Sequence, residues 1–87
     1  MTLNKNHIGS KWMVDSSKYI DSKGCHAVIT SVKDTHSIGY VYYLRDGKAY
    51  ANGQEQFCSE YSFLTTYILM SKHYELEAKI NKIKENL

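Results

Sequence analysis

The chain has 87 residues, of which 43% are hydrophobic, 13% aromatic and 23% charged. That is too apolar for a disordered chain, and long enough to bury a small core without disulfides or a metal. Eleven basic against nine acidic residues leave a net charge of +2, too little by itself to demand a nucleic-acid or membrane partner.

The N-terminal stretch lacks the apolar run of a secretory signal. Apolar stretches such as Tyr67-Ile68-Leu69-Met70 fall far short of the roughly 20 residues that span a bilayer. A soluble, cytoplasmic protein without membrane contact is the expectation. The two cysteines, Cys25 and Cys58, make no disulfide framework and are expected to be reduced structural thiols.

In chain order, Lys11 to Val14 reads as a first strand with Trp12 as its large apolar residue. Residues 15–24 are a polar loop. Cys25 to Lys33 is the most β-like run, with Val28, Ile29, Thr30 and Val32 inside it. Asp34 to Gly39 reads as a turn and Tyr40 to Arg45 as the next strand. Asp46-Gly47 tolerates the positive φ angles of a two-residue hairpin, which predicts that Leu44-Arg45 folds back onto Lys48-Ala49. Asn52-Gly53 offers a second tight turn. All five glycines lie in the first 53 residues, a spacing that suits short strands joined by turns.

After Gly53 the chain contains neither Gly nor Pro. Residues 58–70 admit two readings. One runs a helix back to Glu60. The other, preferred because Thr65, Thr66, Tyr67 and Ile68 are poor helix formers, makes Ser59 to Leu64 a helical turn and Thr66 to Met70 a closing strand. From about Ser71, a suitable N-cap, Leu76, Ile80, Ile83 and Leu87 place a narrow apolar seam on a terminal helix. The fold class that results is mainly β with a C-terminal α-helix. It is organised as a β unit over 1–70 and an amphipathic helix over 71–87 of the same domain.

The order of these pieces carries a resemblance. Gly9-Ser10-Lys11-Trp12 opens; CHAVITSV, the Tyr-rich GYVYYLRDG and the turn Ser59-Glu60-Tyr61-Ser62-Phe63-Leu64 follow; Tyr67-Ile68-Leu69 and a charged helix close. Over residues 9–76 this resembles the small SH3-like barrel proteins of tailed phages, and the bias to Asn, Lys, Ile and Tyr looks like an AT-rich phage. The loop 15–24 and the length of the helix depart from the pattern. The resemblance implies a five-stranded SH3-like barrel with a short helical turn before the last strand. By analogy it implies a protein that binds and blocks a host protein in the host cytoplasm, such as a CRISPR or restriction effector.

The chemistry-bearing residues point away from catalysis. No CxxC or HxxxH spacing exists, and Cys25 and His26, as neighbours on a strand, face opposite ways, so no metal is expected. The glycines lie too far apart for a phosphate loop. Nothing places a base beside Cys25 or Cys58, and Asp34-Thr35-His36 reads as a turn. The expectation is a non-enzymatic protein without a cofactor.

The tyrosines have two readings: they pack the barrel and anchor the helix, or they form an exposed binding face. On a strand, Tyr40, Tyr42 and Leu44 share one side, and Val41, Tyr43 and Arg45 the other. Trp12, Tyr19, Tyr40, Tyr42 and Tyr50, with Arg45 and Lys48, are the candidate binding residues for a peptide of a partner protein. The competing reading stacks single-stranded bases on the same rings, with Lys33, Arg45 and Lys48 on phosphates. Residues 1–50, with seven basic and four acidic side chains, are the half suited to it. The seam of Leu76, Ile80, Ile83 and Leu87 is two positions in seven wide, which suits self-association as a homodimer better than docking on a globular core.

Overall fold

The structure is a computed structural model and describes residues 2–70. The expected terminal helix over 71–87, with Leu76, Ile80, Ile83 and Leu87, lies outside the described residues. Within them the chain is mainly β: five antiparallel strands in one open sheet, with one short α-helix. The strands are β1 (Lys11–Val14), β2 (His26–Asp34), β3 (Ser37–Tyr43), β4 (Gln56–Cys58) and β5 (Tyr67–Leu69), in the order β4-β3-β2-β1-β5. The helix α1 (Glu60–Thr66) joins the two edge strands.

Alternation along the strands builds the core on one face. Trp12 lies opposite Ala27 and Leu69, Ile29 opposite Tyr40, and Val32 opposite Ile38. Trp12, Val14, Ala27, Ile29, Ile38 and Tyr67 are buried there, and Phe63 of α1 closes over them. The Phe63 ring meets the Trp12 indole edge-on at 5.2 Å between centroids and the Tyr40 ring at 5.6 Å, the arrangement that ring quadrupoles favour. Leu3 adds to the core from the N-terminal segment, its N–H donating to Glu60 Oε1. The Trp12 indole N–H is satisfied by Ser10 Oγ at 2.8 Å.

Three departures from the sequence reading have physical causes. Between β2 and β3 the turn is shorter than 34–39. The His36 N–H donates to Asp34 Oδ1 at 2.8 Å, which lets β3 begin at Ser37 and bury Ile38 completely. At the next hairpin, Gly47 N–H donates to the Leu44 carbonyl and Leu44 N–H to the Lys48 carbonyl. Among residues 44–48 only Gly47 has positive φ, so Arg45 and Asp46 are the central residues and Gly47 the left-handed bulge position. Arg45 is therefore turn, not strand. Finally, Lys48-Ala49 does not run on as a strand. Ala49 makes a single bridge to Tyr43, the chain turns through residues 50–53, and pairing with β3 resumes at Gln56.

The segment 59–70 follows the second of its two readings with shifted bounds: the helix runs on to Thr66 and the strand spans only Tyr67–Leu69. Ser59 caps α1, its side chain accepting from the Ser62 N–H, and Tyr67 leaves helical geometry to start β5. No helix among the described residues is long and apolar enough to cross a membrane.

Candidate functional site

The loop 15–24 is held over the inner face of the sheet by backbone bonds at both ends. Asp15 N–H donates to the Thr66 carbonyl at 2.9 Å, and Cys25 N–H to the Ser22 carbonyl at 3.0 Å. Arg45 reaches across from the hairpin, its Nη2 donating to the Asp21 carbonyl at 2.8 Å. Opposite stands the segment 50–53, in which Ala51, Asn52 and Gly53 all have positive φ. Left-handed backbone costs a non-glycine residue roughly 1–2 kcal/mol, and such strain concentrates where a side chain must be held for use. Tyr50 immediately precedes these residues.

Between these walls lies a cavity of about 300 Å³. Tyr19, Tyr40, Tyr42, Tyr50 and Tyr67 line it. The Tyr42 and Tyr50 rings meet edge to face at 6.1 Å and 81°, and Tyr40 and Tyr67 are inclined at 60°. The rings thus form walls and not a stack. Ser22, Gln56 and Thr66 add polar atoms. A second cleft of about 520 Å³ adjoins the first, sharing Ser22 and Tyr42 and bordered by Asp21, Arg45, Asp46 and Leu44. Together they make one groove.

Burial raises the pKa of Tyr40, Tyr42 and Tyr67 above the ordinary phenol value, with the neighbouring phenols and thiols adding to it. The Tyr40 hydroxyl lies near that of Tyr67, and the Tyr42 hydroxyl near Ser22 and Cys25. The floor of the groove is therefore neutral.

The structure brings together four of the five aromatic residues chosen from the sequence. Tyr19 and Tyr50 are 46% and 52% exposed on the rim, while Tyr40 and Tyr42 are half-buried against the core and form the floor. Trp12 does not join them. It is 2% exposed and serves the core, because Phe63 of α1 packs against its indole. Arg45 borders the adjoining cleft. Lys48 is exposed in the hairpin and Lys33 lies over the outward-facing Phe57 ring at 5.3 Å. Tyr67 and Gln56 were missed. Tyr67 read only as part of the closing strand, and Gln56 stands in a strand of three residues with no periodicity to read.

No family model, no curated protein and no solved structure matches this chain. Among the described residues no three His, Cys, Asp or Glu side chains are grouped to hold a metal, and both cysteines are free.

Proposed function

We propose that the chain is a non-enzymatic protein-binding module, built as a small SH3-like barrel, whose tyrosine-lined groove receives a segment of a partner protein. One observation carries the reading. Of the large apolar side chains left exposed, Tyr19, Leu44 and Tyr50 border the groove, and Ile20 lies in the turn that borders it. Exposed apolar surface gathered around a concavity is the composition of an interaction site. The SH3-like part of the proposal is supported by the meander from β1 to β4, and by α1 returning the chain to pair β5 with β1.

The resemblance to tailed-phage proteins extends the proposal to the target: a host protein, with a defence nuclease such as a CRISPR or restriction effector as the first class to try, which the chain would inhibit in the host cytoplasm. That step is fold-level analogy. The nucleic-acid alternative has less support. Among the described residues no Lys or Arg lines the tyrosine cavity, and Arg45 is engaged by the Asp21 carbonyl.

The test is affinity capture from host lysate, with and without nuclease and at rising salt, using the wild type and a Tyr19→Ala, Tyr50→Ala double variant. Both residues are exposed, so the variant should keep the wild-type urea midpoint. Each truncation should cost more than about 1 kcal/mol of partner binding. Capture that survives nuclease and salt but is lost in the variant supports the proposal. Capture that disappears with nuclease and falls steeply with salt favours nucleic acid.

A further inference from the structure

We infer that the tyrosine-walled cavity is an aromatic cage for a guanidinium group, so that the partner is anchored by an arginine side chain. The inference rests on the reading of the groove as a protein-binding site, and adds what the groove selects. Size comes first. At about 300 Å³ the cavity is at the small end for ligand sites, which suits a single side chain.

The ring geometry comes next. Tyr42 and Tyr50 stand at 81° to each other, and Tyr40 and Tyr67 at 60°, so the rings that line the cavity lie in different planes. Ring faces carry the negative part of the aromatic quadrupole, and arginine is the side chain most often found against them.

The polar atoms agree. Gln56 donates its Nε2 to the Gln54 carbonyl at 3.2 Å, which leaves its Oε1 as an acceptor, and Ser22 and Thr66 contribute hydroxyl oxygens. Five guanidinium N–H donors in a planar fork can stack on a ring and still use such acceptors at the edge. A purely apolar side chain would cover these oxygens without replacing their water, which carries a desolvation cost. A carboxylate or phosphate would meet ring faces and, among the described residues, no cation in the lining. The adjoining cleft adds Asp21 and Asp46 to the potential felt by an incoming cation. Its one cation, Arg45, donates to the neutral Asp21 carbonyl and keeps its charge, so the two carboxylates leave that lining with a formal balance of one negative charge.

The inference is tested with four capped tripeptides, Ac-Gly-X-Gly-amide, where X is arginine, citrulline, lysine or norleucine. Binding is followed by shifts of the backbone amide signals of Tyr42, Gln56 and Thr66 in the full-length protein. Citrulline keeps the shape of arginine and removes its charge. The arginine peptide should bind at least tenfold more tightly than the citrulline and norleucine peptides, and more tightly than lysine. Tyr50→Phe should retain this preference because the ring is kept, and Tyr50→Leu should abolish it. Equal binding of arginine and citrulline, tighter binding of norleucine, or no shift with any of the four overturns the cage. The partner-binding reading fails separately, when the Tyr19→Ala, Tyr50→Ala variant captures partner as well as the wild type.

Discussion

Gly39 is where three strands are locked together through side chains. It lies on the outward face of β3, opposite Ser31 of β2 and Phe57 of β4. The absence of a Cβ leaves room for the Glu55 carboxylate, which accepts from Thr30 Oγ1 and, at 3.1 Å, from Ser31 Oγ. Thr30 is free to do this because the β2–β3 register shifts between Ile29 and Ser31. A methyl group at position 39 would run into Ser31 Oγ and lie 2.6 Å from Glu55 Oε2. Gly39→Ala is therefore expected to destabilise by about 1–3 kcal/mol through overpacking, read as a lower urea midpoint with an unchanged slope. Adding Glu55→Ala should recover part of that loss, since one of the two obstructions is gone. If the two changes are simply additive, the clash is not at Glu55.

At the scale of the element, α1 illustrates what the sequence did and did not disclose. The poor helix formers after Leu64 were enough to read a short helical turn followed by a strand, although α1 runs on through Thr65 and Thr66 and its cap, Ser59, is seen only in the structure. β1 was equally legible, its four residues alternating around Trp12. β4 was not. Its three residues, Gln56, Phe57 and Cys58, are defined by pairing with β3, and no period is visible in so short a run. The floor of the groove shares that fate, since Tyr67 and Gln56 reach it through strand pairing with partners far along the chain. The N-terminal segment is a further case: Leu3 is buried in the core, and Glu60 of α1, far along the chain, accepts its N–H. Two substitutions separate the roles of α1. Ser59→Ala should cost about 0.5–2 kcal/mol, the worth of a cap. Phe63→Ala removes a completely buried ring that touches Trp12, Tyr40 and Tyr67 and should cost about 3–5 kcal/mol. Chemical denaturation checks both. A loss at Phe63 no larger than that at Ser59 would mean that α1 does not close the core.

For the whole molecule, two predictions concern assembly and pH. The seam of Leu76, Ile80, Ile83 and Leu87 is proposed to join two copies of the chain. An Ile80→Lys, Ile83→Lys variant should then sediment as a folded monomer where the wild type sediments as a dimer, and a wild type monomeric at high concentration refutes it. The pH dependence follows from groups the fold keeps neutral. Burial, with Lys11 adding to it, lowers the pKa of His26, whose ring stacks on Tyr43 at 4.8 Å. Below about pH 6.5 the unfolded chain takes up this proton more readily than the folded one, so stability falls as the solution is acidified. At the alkaline end the sign reverses the direction of loss. Tyr40, Tyr42 and Tyr67 have raised pKa values, chiefly from burial, and so has the Cys58 thiol. The folded state therefore keeps protons that the unfolded chain releases from about pH 9 for the thiol and about pH 10 for the phenols. Folding is undiminished below those values and weakens above them. Urea midpoints should be flat between about pH 7 and 9 and drop beyond it. Cys58→Ala should remove the earliest part of the drop, and Tyr67→Phe should shallow the later part. The tyrosinate absorbance of the three groove phenols should appear only with loss of the native circular dichroism. Ionisation of all eight tyrosines in one step, with the native signal intact, would show that the groove floor is open to water and that its phenols are not held neutral by the fold.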